Sequence, residues 1–168
     1  MNVYRSTVAL VLLVACSLFG VAGPDTDSGR VEWKTFGEAV KSARASGKLI
    51  MVDVYTTWCG WCKKMDRSTY ADEKVVDYLG RHFEAVKLNA ESNRRHEFQG
   101  KSYTERELAK GFGASGYPTT VFLSADEKFI TAVPGYMDAK TFLLVLEYIK
   151  DKRYQDVSWK EFVKSKEP

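Results

Sequence analysis

The sequence predicts an α/β fold in three layers, a mixed central β-sheet with helices on both faces. Three observations carry that expectation. Leu49-Ile50-Met51-Val52-Asp53-Val54-Tyr55 is an apolar, β-branched run of strand length, as in a strand buried on both faces. Stretches before and after it repeat apolar residues at helical spacing. Late in the chain, Thr119 to Leu123 and Phe129 to Val133 flank Ser124-Ala125-Asp126-Glu127-Lys128, the pattern of a hairpin.

In chain order, Thr35-Phe36-Gly37-Glu38 is a capping box, and Phe36, Ala39, Val40 and Ala43 continue as an amphipathic helix that Gly47 ends. The buried strand 49–55 follows. A helix from about Gly60 carries Trp61 and Met65, and a second from Asp72 carries Val75, Val76 and Leu79 and ends near Gly80. Phe83 to Leu88 is the next strand. Glu91 to Tyr103 is polar without apolar periodicity and is expected to be loop. Thr104-Glu105-Arg106-Glu107 is a second capping box, opening a short helix with Leu108 and Phe112 that Gly111 and Gly113 close. After the hairpin, which Pro134-Gly135 stops, Asp138 caps a long helix with the stripe Phe142, Val145, Leu146, Ile149, onto which Met137 staples. Ser158-Trp159-Lys160-Glu161 caps a last short helix, with Val157 placed to staple to Phe162.

The 168 residues suffice for one domain with a single core. Residues 1–23 have the form of a signal peptide: Arg5, an apolar run from Val8, then Gly20-Val21-Ala22-Gly23. Leu13-Val14-Ala15-Cys16 also resembles a lipobox, so a cleaved leader and a lipid anchor at Cys16 both stay open. The domain is expected over residues 24–168, with the last helix as an extension. Loss of Arg5 with the leader takes the formal charge from +3 to +2. That balance gives no reason to expect nucleic acid or an anionic membrane as partner.

Beyond Cys16 the only cysteines are Cys59 and Cys62, in Trp58-Cys59-Gly60-Trp61-Cys62-Lys63. A loop this short constrains little unfolded-chain entropy, so a Cys59–Cys62 disulfide serves chemistry and not stapling. Cys59 falls at a helix N-terminus, where free N–H groups and the helix dipole favour a thiolate, which makes it the nucleophile. Cys62, one turn further in and shielded, is the resolving thiol. His82 and His96 lie at no finger-like spacing from the cysteines, and no metal is expected. Arg94, Arg95, His96 and Lys101 are expected to form a solvated basic loop.

With this motif, the buried strand before it and Gly116-Tyr117-Pro118-Thr119 in line, residues 30 to 152 resemble the thioredoxin superfamily. The resemblance implies a thioredoxin-like fold, thiol-disulfide oxidoreductase activity and no cofactor. Asp53, six residues ahead of Cys59, looks like the family's buried aspartate, and Lys87-Leu88-Asn89 like its partner lysine strand. Tyr117-Pro118 resembles the cis-proline loop, and Gly135 matches a glycine beside the substrate groove. Cys62 needs a proton acceptor, for which Asp53 with Lys87 as ionic neighbour is the candidate. Trp58 and Trp61 would form an aromatic rim for an extended peptide, although packing beneath the motif is an equal alternative for Trp58.

The chain departs from thioredoxin in its leader, in Trp61 where thioredoxin has proline, and in a segment 90–115 longer by about a dozen residues. It is more similar to exported bacterial thioredoxin-like proteins, including the reductant-carrying periplasmic domain of a transmembrane electron conductor. The resemblance implies a periplasmic monomer that meets protein disulfide or dithiol clients and an upstream electron donor. No histidine lies between the cysteines to stabilise the thiolate, which favours a reductase. An oxidase or isomerase, and a client-holding module such as one in cytochrome c maturation, remain as alternatives.

Overall fold

A computed structural model describes residues 29–167 of the protein. The expected leader 1–23 and its Cys16 lie outside the described residues. The central sheet runs β1 (Trp33–Lys34), β3 (Phe83–Asn89), β2 (Leu49–Tyr55), β6 (Thr119–Leu123) and β7 (Phe129–Pro134) from edge to edge. β1, β3 and β2 are parallel, whereas β6 and β7 run antiparallel, so the sheet is mixed as expected. Pro134 ends β7 opposite Thr119, which an edge strand tolerates because its outer ladder is free.

The period of two in β2 divides the core. Ile50, Val52 and Val54 face α1 (Phe36–Ser46) and α4 (Glu105–Gly111), meeting Phe36, Val40, Leu108 and Phe112. Met51 and Phe122 on the opposite face meet Met65, Val75, Leu79, Phe142 and Leu146 from α2 (Gly60–Ser68), α3 (Glu73–His82) and α5 (Ala139–Lys150). Asp53 shares the Met51 face, the side that α2 covers.

Local signals account for the helix ends. Thr35 and Glu38 close the first capping box, and Gly47 takes the left-handed conformation, φ 76°, that ends α1. Asp138 accepts the Thr141 amide at 2.8 Å at the start of α5. α3 continues past Gly80 to His82, its chain leading straight into β3. After a 3-10 turn (Arg153–Gln155), α6 (Trp159–Ser165) packs Phe162 and Trp159 against Tyr148 of α5, and Tyr148 donates its hydroxyl to the Val157 carbonyl at 2.7 Å.

The segment 91–103 is not loop throughout. It holds a separate hairpin, β4 (Arg95–Phe98) and β5 (Lys101–Thr104), turned at Gln99-Gly100 with φ of 50° and 74°. Alternate residues face inward, where Phe98 and Tyr103 pack on the α1 side of the core. Glu127 fastens the tip: buried in the β6–β7 turn, it accepts from the Gln99 amide at 3.2 Å and from Arg44 of α1.

Candidate active site

Cys59 and Cys62 are joined as a disulfide, with Cα atoms 5.3 Å apart, at the start of α2. Cys59 is the N-cap residue, and its sulfur accepts the Cys62 amide at 3.0 Å. That contact and the absence of acidic residues from the first turn favour negative charge on Cys59. Exposure distinguishes the two less than expected, at 4% for Cys59 and 2% for Cys62. The assignment of Cys59 as nucleophile therefore stands on its helix terminus and not on accessibility.

Beneath the disulfide the sheet register does the positioning. Asp53 pairs across the ladder with Lys87 on one side and Thr120 on the other, which sets three polar side chains on the face under α2. Asp53 is buried, and Lys87 Nζ donates to its Oδ2 at 2.6 Å. Burial pushes the Asp53 carboxyl above its ordinary value, against the opposing pull of the Lys87 charge. Burial works against the Lys87 ammonium too, yet Asp53 and Asp66 together hold its pKa above the lysine norm. Lys87 also bonds Asp66 and lies over the rings of Trp33 and Tyr55, 4.7 and 5.1 Å from their centroids.

The rim forms two clusters. On one side Trp58, 65% exposed, donates its indole N–H to Glu91 Oε1 at 2.9 Å and meets Tyr117 edge-on at 6.1 Å. Core packing of Trp58 is thereby excluded. The Tyr117-Pro118 bond is cis, and the Pro118 carbonyl accepts the Gly135 amide at 2.8 Å. Gly135 has φ 93°, a conformation suited to glycine, so the substitution-sensitive turn lies beside the proline loop. On the other side Trp61 is exposed and lies 5.4 Å from Tyr136, with Lys64 Nζ 4.8 Å from both rings.

Around the helix that carries Cys59 and Cys62, Trp58 thus meets Tyr117, the Pro118 carbonyl holds Gly135, Trp61 meets Tyr136 next to Gly135, and Lys87 joins Asp53 to Asp66 of α2. Glu91, Asp66, Tyr70 and Tyr136 escaped the sequence reading. Asp66 had a signal, since it stands four residues after Cys62 on one helix face. Tyr136 followed Gly135 directly. His96 is no solvated residue of a basic loop: its Nε2 lies 3.0 Å from Glu105 Oε1 in a partly buried contact. Among the described residues, no group of three or more His, Cys, Asp or Glu side chains is placed to hold a metal ion. No helix among them is long and apolar enough to cross a membrane.

Comparison with known proteins gives the same outline. Residues 36–150 match the model of a family described as a thioredoxin-like domain. The thiol:disulfide interchange protein DsbD of Ralstonia nicotianae is 34% identical over 110 residues, covering 65% of this chain and 17% of that protein. DsbD of Yersinia pestis is 34% identical over 107 residues, 62% of this chain and 16% of its own length. The chain therefore spans only about a sixth of the curated relatives it matches. Among solved structures, a thioredoxin-fold protein from Helicobacter pylori superposes with a TM-score of 0.62 at 27% identity, over 71% of this chain and 80% of that one. A thioredoxin from Thermus thermophilus gives 0.58 at 24% identity, over 71% and 87%, a likeness of fold.

Proposed function

This chain belongs to the family of thioredoxin-like domains, and from that premise we propose that it is an exported reductase of protein disulfides. Thiol-disulfide oxidoreductase activity itself follows from the family and the Cys59/Cys62 pair. In the proposed direction the dithiol form is the donor. The Cys59 thiolate attacks a client disulfide, forming a mixed disulfide and releasing the first client sulfur as thiolate. Cys62 then loses its proton to Asp53, attacks the Cys59 sulfur and restores the Cys59–Cys62 bond, while the second client thiolate leaves. Two electrons pass to the client, and an upstream donor must return them.

The observation that carries this reading is the buried Asp53 carboxylate, paired with Lys87 on the face under α2. Release of a reduced client requires a proton acceptor for a shielded thiol, and a buried carboxylate of raised pKa is suited to it. The Gly60-Trp61 dipeptide brings no imidazole to stabilise the reduced thiolate, which supports a reducing couple. Residues 1–23 and the likeness to part of DsbD support export to a bacterial periplasm, where the protein would act as a monomer on thiol clients. Trp58, Trp61, Tyr117, Pro118 and Gly135 form the surface for the client segment.

The test is trapping. Cys62→Ser accumulates mixed disulfides with clients in acid-quenched extracts, and Cys59→Ser does not, because only the first cysteine attacks and only the second releases. Equal trapping by both variants would contradict the assignment.

A further inference from the structure

Lys87 carries its ammonium into a ring of aromatic faces. Its Nζ lies 4.7 Å from the centroid of Trp33, 5.1 Å from that of Tyr55 and 5.3 Å from that of Tyr70. The sheet register builds two of the walls. Trp33 of β1 stands opposite Ala85, two residues before Lys87, and Tyr55 of β2 stands opposite Asn89, two residues after it. A period of two puts these side chains and Lys87 on one face of the sheet, with the rings on either flank of the lysine. Tyr70 closes the ring from the turn after α2, held edge-on by Trp33 at 5.0 Å and by Phe142 at 5.5 Å.

The ammonium has another place to go. A lysine head is strongly hydrated and rides on a flexible stem, so fixing it below the surface costs hydration and rotamer freedom. Lys87 keeps 21% of its side chain exposed, and a crevice of about 360 Å³ bordered by Arg30, Trp33, Asp66 and Tyr70 lies beside it. Asp66 of α2, the more exposed of its two carboxylate partners, bonds the same Nζ. The other partner is the buried Asp53, whose Oδ2 accepts from Nζ at 2.6 Å. Water and Asp66 thus draw the head outward while Asp53 draws it inward. A ring face attracts a cation within about 6 Å, more strongly where water is excluded, so these faces favour the inner placement. Aliphatic walls would exclude water equally and offer no such attraction.

We propose that Trp33, Tyr55 and Tyr70 are positioning residues for the release step: they form an aromatic cage that holds the Lys87 ammonium on Asp53 and so keeps the carboxylate ready to take the Cys62 proton. This rests on the assignment of Asp53 as acceptor. The cage acts through the place of the charge and not its existence, since burial works against the ammonium but Asp53 and Asp66 outweigh it. An ammonium at hydrogen-bond distance favours the ionised carboxylate, against the burial that favours the neutral one. If the head swings out to Asp66 and the crevice, that support falls away. A larger share of Asp53 is then already protonated when Cys62 needs an acceptor. Besides the two carboxylates, the titratable groups around the ammonium are the hydroxyls of Tyr55 and Tyr70, and Arg30 is a further cation at the crevice.

The experiment uses the full-length protein in its reduced form. The infrared carbonyl stretch of protonated Asp53, identified by its loss in Asp53→Asn, is titrated over roughly pH 5 to 9, and the ring-current shift of the Lys87 ε-protons reports where the head sits. Trp33→Leu should move the Asp53 titration to higher pH by about half a unit and move the Lys87 signal toward that of a free lysine. Release of a peptide from its Cys59 mixed disulfide, followed in single turnover by acid quench, should slow about threefold at the acid end of that range. Trp33→Phe, which keeps a ring face, should recover most of these changes. Tyr55→Leu should act in the same direction, and it carries the test where Trp33→Leu fails to fold. In a Lys87→Met background, either leucine variant should leave the Asp53 titration in place. An equal rise with and without Lys87 would mean that the rings act on Asp53 by burial alone, and would overturn the cage. So would an unmoved titration in both leucine variants with Lys87 intact. Should the titration move while release keeps its native rate in these variants and in Asp53→Asn, the acceptor assignment fails and only the placement of Lys87 survives.

Discussion

The indole N–H of Trp58 bonds to Glu91 Oε1 at 2.9 Å, so one wall of the disulfide rim is tied to the segment that leads into the β4–β5 hairpin. Glu91 is itself anchored, its amide bonded to Asn89 Oδ1 at 2.9 Å and its carbonyl to Arg106 at 2.9 Å. The segment between β3 and β4 therefore bears on the orientation of an exposed aromatic residue beside the reactive pair.

Glu91→Ala should leave folding and the rate of attack on a small disulfide unchanged while raising KM for a protein client by roughly threefold to tenfold, the worth of about one ordinary hydrogen bond at an exposed position. Glu91→Gln, which keeps an acceptor, should recover most of the loss. Steady-state kinetics, with Trp58 fluorescence as a monitor of indole mobility, checks this. An unchanged KM in the alanine variant would remove Glu91 from client recognition.

Asp53 gives a pH signature in stability. Its folded pKa is raised, so the stability contributed by its protonated form is complete below the ordinary 3.8 and is lost as pH rises through the folded value. Asp53→Asn mimics the protonated form. It should melt higher than the native protein at neutral pH, with the gain vanishing below 3.8, while slowing client release by ~100-fold, as loss of a general base does. A lower melting temperature at pH 7 would mean that the ion pair with Lys87 outweighs the burial of Asp53.

Glu127 should be a fastener. Its carboxylate accepts from Arg44 and the Gln99 amide, and its carbonyl accepts Gln99 Nε2 at 3.0 Å. Glu127→Ala should cost ~2 kcal/mol and speed proteolysis at Gln99-Gly100, with the disulfide chemistry intact. Denaturant titration and limited digestion read both. Full protection of the hairpin in the variant would place its anchorage in Phe98 and Tyr103 instead.

What the sequence revealed and what it withheld have physical causes. The strand 49–55 and the helices of α1, α4 and α5 were legible because their periodicity and caps are local. Cys59, Cys62 and Asp53 were legible because a charge within an apolar run and a close cysteine pair stand out. The β4–β5 hairpin was hidden because its strands are four residues long and mostly polar, although His96 and Phe98 alternate inward before the Gln99-Gly100 turn. Glu91 was hidden for another reason. It bonds a residue distant in sequence, Trp58, and only the folding of the chain brings the two together.

The reduction potential of the Cys59/Cys62 couple tests the central claim most directly. Equilibration of the full-length protein against a graded series of reduced and oxidised glutathione should give a value nearer to the roughly −270 mV of thioredoxin than to the roughly −120 mV of a strong oxidant. A difference of about 30 mV corresponds to about 1.4 kcal/mol for two electrons, so the two outcomes are well separated. A value above about −180 mV, the region of isomerases, would contradict the reductase and put an oxidase or isomerase in its place.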